Sequence, residues 1–141
     1  MEDRNLAAIV LAAGLGTRMR SKHAKVLHPL GGRPMIARSL RAVSALDARP
    51  IVVVVGHQAA EVEAAVRANS ETPLTFALQP RLLGTGDSAR HGLAAIPEHF
   101  TGDVLIGYGD VPMVTSATLA AFWSAHRQSG AALSLVSVRV A

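Results

Sequence analysis

The sequence predicts an α/β protein, a Rossmann-like open and mostly parallel sheet with helices on both faces. Three observations carry this. The strand candidates are continuous apolar runs, as expected when both faces of a sheet are covered. Between them lie stretches with apolar residues at helical spacing. The two types alternate along the 141 residues, which argues for parallel strands joined by right-handed crossovers.

Residues 6–13 (LAAIVLAA) form an apolar run ending at Gly14 and read as a buried strand. Residues 14–32 read as a glycine-containing, basic loop. Pro34 opens the first helix, where proline is tolerated in the first turn, and Ile36, Leu40 and Val43 share one face. Residues 51–55 (IVVVV) are β-branched and predict a second strand. Residues 57–69 predict a helix with Val62 and Val66 on one face; residues 74–78 alternate weakly and read as a third strand. Residues 87–96 set Ala89, Leu93 and Ile96 at helical spacing, and residues 104–106 predict a short fourth strand. Thr115 or Ser116 is placed to cap a helix bearing Leu119, Phe122, Trp123 and His126. Residues 131–140 read as a final apolar strand, and a chain stopping on such a strand predicts a domain incomplete at its C-terminus. Open sheets of this kind bind ligands at the carboxyl ends of their strands. The segments starting at Gly14, Gly56, Gln79 and Gly107 are therefore the candidates.

Half the residues are hydrophobic and 17% are charged, a folded composition whose length suits one domain or part of one. No window approaches the roughly 20 apolar residues of a membrane span, which predicts a soluble chain. The apolar start follows Glu2 and Asp3 and is too short for a secretory signal. Cysteine is absent, which removes disulfides, thiolate chemistry and cysteine-based zinc sites and fits a reducing cytoplasm. The net charge of +4 hints at nucleic acid, but the surplus is local. Residues 18–41 hold Arg18, Arg20, Lys22, Lys25, Arg33, Arg38 and Arg41 with no acid, whereas residues 42–141 hold six bases and eight acids. Aromatic residues make up only 4%, leaving little for stacking bases of a single strand. The histidines show no metal-ligand spacing, and Phe122 and Trp123 read as core.

The loop after the first strand carries the chemistry. Gly14 and Gly16 allow close backbone approach, Ala12 and Ala13 are small enough for a flat group to lie on the strand end, and backbone N–H groups here can cradle phosphate oxygens. Arg18 and Lys25 add positive charge suited to a polyphosphate. A Walker A ending is missing, and a dinucleotide fingerprint fails because Met19 stands where its third glycine belongs.

The run Leu11-Ala12-Ala13-Gly14-Leu15-Gly16-Thr17-Arg18-Met19, continued by Lys25-Val26-Leu27-His28-Pro29-Leu30, resembles the signature of sugar-1-phosphate nucleotidyltransferases. With Gln79-Pro80, Leu83-Gly84-Thr85-Gly86 and Tyr108-Gly109-Asp110-Val111-Pro112, it is similar to the uridyltransferase domain of the bifunctional enzymes that also carry a glucosamine-1-phosphate acetyltransferase. The resemblance implies the nucleotide-diphospho-sugar transferase fold, with residues 1–141 as its N-terminal, nucleotide-binding part. It implies Mg²⁺-dependent transfer of UMP from UTP to N-acetylglucosamine-1-phosphate, giving UDP-N-acetylglucosamine for cell-wall precursors. Arg18 and Lys25 would be catalytic. Leu11, Ala12, Ala13, Gly14, Lys25, Gln79, Gly84, Thr85, Tyr108, Gly109 and Asp110 would bind substrate, and Asp110 would also hold the metal. Sugar-binding residues, a second metal ligand and a β-helix domain that builds a homotrimer are expected beyond residue 141. No nucleic acid or membrane partner is expected. Ala24 stands where the family usually carries proline, Asp87 where a small residue or histidine is usual, and Gly107 where an apolar residue is usual. The alternatives are another sugar or molybdenum-cofactor nucleotidyltransferase, or nucleotide binding without turnover.

Overall fold

The computed structural model describes residues 5–140; Glu2 and Asp3 lie outside them. In chain order the elements are β1 (Leu6–Leu11), β2 (Pro29–Leu30), β3 (Arg33–Pro34), α1 (Met35–Ser44), β4 (Ile51–Val55), α2 (Ala59–Asn69), β5 (Thr75–Leu78), α3 (Thr85–Ala94), β6 (Asp103–Tyr108) and α4 (Ser116–Ser129). The main sheet is parallel with strand order β5-β4-β1-β6. β2 and β3 form a separate antiparallel hairpin, turned by Gly31 and Gly32 at φ +61° and +78°.

Position in the sheet explains the sequence pattern. β1 and β4 are the two central strands, and every residue of both is buried. Covered on both faces, they have no position for a polar residue. Fully burying each Val or Ile contributes roughly 1.5–3 kcal/mol. On one face Ala8, Val10, Val53 and Val55 join Ile36, Leu40 and Val43 of α1 and Val62 and Val66 of α2, with Leu119, Phe122 and Trp123 of α4 at the margin. On the other, Ile9, Leu11, Val52 and Val54 meet α3 and the turn at Ala95 and Ile96. Helices therefore cover both faces.

The chain builds outward from β1 to β4 and β5, then crosses to the opposite side of β1 as β6. That reversal opens a crevice at the carboxyl ends of β1 and β6. Thr115 takes the cap of α4, its side chain accepting from the Thr118 N–H at 3.2 Å. Trp123 donates its indole N–H to Asp103 at 2.7 Å, tying α4 to the start of β6.

Three expectations change. Residues 131–140 are not a strand: Leu133, Leu135 and Val138 are at least 76% exposed, and the segment joins no strand ladder among the described residues, although its Ser134 hydroxyl meets His126 Nδ1 at 2.8 Å. Apolar, β-branched composition suits a pleated surface but supplies no neighbouring ladder. α3 begins at Thr85 and buries Ser88 and Gly92, not the face through Ala89 and Leu93; Leu93 is 47% exposed. The reason is contact distance. A Cβ on Gly92 would stand 2.5 Å from Ile9 Cγ2, so only glycine lets the helix lie this close to the sheet. Finally, residues 14–32 are more ordered than a plain loop, with 3₁₀ turns at Thr17–Met19 and Lys25–Leu27.

Candidate active site

A cleft of about 520 Å³ opens at the carboxyl ends of β1, β5 and β6. Hydrogen bonds running past the strand ends hold its rim: Gly109 N–H to Leu11 O at 2.9 Å, Ala12 N–H to Val54 O at 2.8 Å, and Gln79 N–H to Val55 O at 2.8 Å. The rim is thus rigidly tied to the sheet, while the loop above it supplies charge.

Gly16 shapes that loop. It sits at φ +58°, ψ +37°, a left-handed conformation that suits glycine. A Cβ there would stand 2.6 Å from Lys25 Cβ. The loop therefore folds back on itself and brings Lys25 beside the end of β6. Ala24, just before it, is 1% exposed and packed in the core, which anchors the turn.

Lys25 Nζ lies 2.7 Å from Asp110 Oδ2, both side chains about one-third exposed. Arg18, on the first 3₁₀ turn, lines the same cleft. Asp110 is the only predicted metal ligand, and no three His, Cys, Asp or Glu side chains cluster to hold a metal among the described residues.

The opposite wall is built by α3. Gln79 is 3% exposed and donates through Nε2 to Asp87 Oδ2 at 2.8 Å and to Gly84 O at 3.3 Å. Arg90 donates to Asp87 Oδ1 at 2.7 Å. The Arg90 bond first, and the Gln79 bond second, hold the Asp87 carboxyl below its ordinary range. The acid that stands out in the sequence is therefore compensated locally. Gly84 and Thr85 lead into α3, whose first-turn N–H groups are left without intrahelical partners.

Of the residues singled out in the sequence, Leu11, Ala12, Ala13, Gly14, Arg18, Lys25, Gln79, Gly84, Thr85, Tyr108 and Asp110 all line this one cleft. Gly109 does not. It is buried beneath the turn, where a Cβ would meet Val26 and Ile36 at 3.1 and 3.3 Å, and its carbonyl accepts from the Ser39 hydroxyl of α1 at 3.4 Å. It underlies the turn that carries Asp110. The sequence pointed to Gly16 for close backbone approach without assigning it to the site, and gave no site role to Leu15, Thr17, Met19, Val26, Leu82 and Ser88; all of these also line the cleft. Ser88 keeps its Oγ buried with no partner among the described residues. Only its α3 spacing from Gly84, Thr85 and Gly92 pointed to it.

A model of the MobA-like NTP transferase domain matches residues 8–139. The bifunctional protein GlmU of Kineococcus radiotolerans is 45% identical over 135 residues, 96% of this chain and 27% of that protein. GlmU of Anaeromyxobacter sp. (strain K) is 48% identical over 134 residues, 94% of this chain and again 27% of that protein. The chain thus spans 27% of the length of these curated relatives. Among solved structures, a nucleotidyl transferase from Methanothermobacter thermautotroptrophicus superposes with TM-score 0.73 at 31% identity, covering 85% of this chain and 57% of that one. A UDP-glucose pyrophosphorylase from Acinetobacter baumanii shares the fold, with TM-score 0.74 at 19% identity over 90% of this chain and 54% of the other.

Proposed function

Because the chain belongs to the MobA-like NTP transferase domain family, we propose that it is the nucleotide-binding part of a nucleotidyltransferase domain. The reaction we assign is transfer of UMP from UTP to N-acetylglucosamine-1-phosphate, giving UDP-N-acetylglucosamine and pyrophosphate. The observation that carries this reading is convergence. Segments 11–19, 79–88 and 108–110 supply a basic loop, a polar wall and a carboxylate to one cleft. The 43–48% identity to GlmU proteins supports the choice of uridyl and acetylglucosamine groups. The sugar half of the site, a homotrimer built through a further domain, a cytoplasmic setting and a role in cell-wall precursor synthesis belong to the same proposal. No helix among the described residues is long and apolar enough to cross a membrane.

The reaction needs positioning and charge stabilisation more than covalent chemistry. A sugar-phosphate oxygen bonds to the α-phosphorus of UTP as the bond to the pyrophosphate oxygen breaks. No side-chain nucleophile is required. Residues 11–14 hold the nucleotide against the strand ends. Lys25 and Arg18 bring positive charge to the triphosphate and to the charge that develops on the leaving pyrophosphate. Gln79, Gly84 and Thr85 meet the base edge, and Tyr108 at the end of β6 packs beside the sugar.

Asp110 fits a magnesium ion. Its carboxylate already bonds a cationic group, and magnesium characteristically takes one or two carboxylates with phosphate oxygens and waters completing its shell. When bound, magnesium neutralises phosphate charge. Lys25 brings its ammonium to the phosphates from beside Asp110.

Titration calorimetry of UTP into the chain, with and without magnesium, tests the reading. UTP is expected to bind, and magnesium to strengthen it. Lys25→Ala and Asp110→Ala each weaken magnesium-dependent binding by about tenfold or more while the circular dichroism spectrum stays native. Wild-type affinity in both variants refutes the assigned roles, and equal binding of GTP or dTTP refutes the uridyl assignment.

A further inference from the structure

Gln79 holds an asymmetric position. Both hydrogen bonds of its side chain are donated by Nε2, to the Asp87 carboxylate and to the Gly84 carbonyl. A carboxylate and a carbonyl only accept, so partner chemistry turns the amide nitrogen toward α3 and leaves Oε1 as the group available to a ligand. Asp87 is itself fixed. Arg90 bonds its other oxygen at 2.7 Å, His91 Nε2 stands 3.6 Å from Oδ2, and the side chain is only 12% exposed. Beside Gln79, the unpartnered N–H groups of the first turn of α3 supply donors, and Gly84 and Thr85 both line the cleft. The wall therefore presents an acceptor next to donors.

From this arrangement we propose that Asp87 sets the base selectivity of the cleft, as a positioning residue that makes Gln79 offer an acceptor rather than a donor. The proposal rests on the reading that this cleft receives a nucleotide base. A ring N–H flanked by a carbonyl oxygen, as in uracil, complements an acceptor beside donors. Cytosine carries the reverse pattern, a ring nitrogen acceptor flanked by an amino group, and sets acceptor against acceptor and donor against donor. Leaving buried polar groups so mismatched is the kind of contact that discriminates strongly. The Ser88 hydroxyl is buried in the same wall without a partner among the described residues.

The test is calorimetric titration of UTP, CTP and inorganic tripolyphosphate into the full chain, for wild type, Asp87→Asn and Arg90→Ala. An asparagine can donate to Gln79 Oε1, which lets the amide turn and present Nε2 to the cleft. Wild type is expected to prefer UTP over CTP by about tenfold or more. Asp87→Asn is expected to lower that ratio by about tenfold, with CTP affinity rising and tripolyphosphate affinity unchanged. A merely structural role weakens both nucleotides together and raises neither. Arg90→Ala, whose side chain is 74% exposed, loosens Asp87 without entering the cleft and shifts the ratio the same way by about twofold; it carries the test if Asp87→Asn fails to fold. An unchanged UTP-to-CTP ratio in a folded variant that binds both nucleotides overturns the role of Asp87 and leaves the nucleotide cleft standing. Wild-type chain that binds neither UTP nor tripolyphosphate overturns both.

Discussion

Gly16→Ala is expected to weaken UTP binding by about tenfold or more while leaving the sheet core intact. Two costs follow from the geometry. The residue sits at φ +58°, ψ +37°, where a non-glycine residue is disfavoured by roughly 1–2 kcal/mol. The new Cβ would also stand 2.6 Å from Lys25 Cβ and 3.4 Å from its Cα and N. Carbon atoms settle at about 3.5–4.0 Å, so the two segments must part by roughly 1 Å. Lys25 Cβ is set by the backbone, so a side-chain rotation cannot relieve the clash. The displacement passes to the ammonium that now lies 2.7 Å from Asp110. A misplacement of about 1 Å at a reacting centre costs up to about 100-fold in rate, and loss of a charge-assisted hydrogen bond costs about 1.5–3 kcal/mol of binding. The ion pair itself, about one-third exposed on both sides, contributes no more than about 1 kcal/mol to folding. Affinity and stability should therefore separate. The assay is UTP and tripolyphosphate titration with urea unfolding in parallel, and Gly107→Ala serves as control because a Cβ there meets nothing within 4 Å. A Gly16→Ala chain that binds UTP within twofold of wild type refutes the view that this glycine spaces Lys25.

Gly92→Val is expected to destabilise the fold by about 2–3 kcal/mol, read as a lower urea midpoint. Its Cβ would stand 2.5 Å from Ile9 Cγ2 and 3.0 Å from Val54 Cγ2, and both neighbours are fully buried and cannot retreat. Wild-type stability would show that α3 rides higher above the sheet than described. Asp87, held below its ordinary value of 3.8, binds fewer protons in the folded than in the unfolded chain near that value. Its contribution is therefore present above that value and is lost as pH falls through the lower, folded one. Acid titration of wild type against Asp87→Asn should show a stability difference that shrinks as pH falls below about pH 4. A difference that stays unchanged through acid pH would mean that Asp87 is not held below its ordinary value.

Much of this was legible before any coordinates. The runs at 6–13 and 51–55 are unbroken apolar because β1 and β4 are central, and a central parallel strand tolerates no polar face. The segments starting at Gly14, Gly56, Gln79 and Gly107 could be nominated because ligands collect where parallel strands end, whereas the roles of Leu11, Gln79 and Asp110 came from the resemblance to sugar-1-phosphate nucleotidyltransferases. Residues 131–140 misled because composition reports how well side chains suit a strand and is silent about whether a neighbour exists to pair. The α3 face misled because a helix packed through glycine and serine leaves no apolar stripe, and Gly92 records closeness that hydrophobic periodicity does not measure.

Local chemistry, then, determined the layered α/β plan, the strand-end location of the site and the basic character of the loop over it. These depend on properties each segment carries alone, such as apolar continuity, turn-forming glycine and formal charge. Tertiary structure alone decided which groups face each other. Lys25 and Asp110 are 85 residues apart and meet at 2.7 Å because Gly16 permits a left-handed turn. Gln79 offers an acceptor because Asp87, reached across the turn into α3, takes its donor. Hydrogen-bond direction and charge pairing are properties of contacts, and contacts between distant segments exist only once the sheet has brought their ends together.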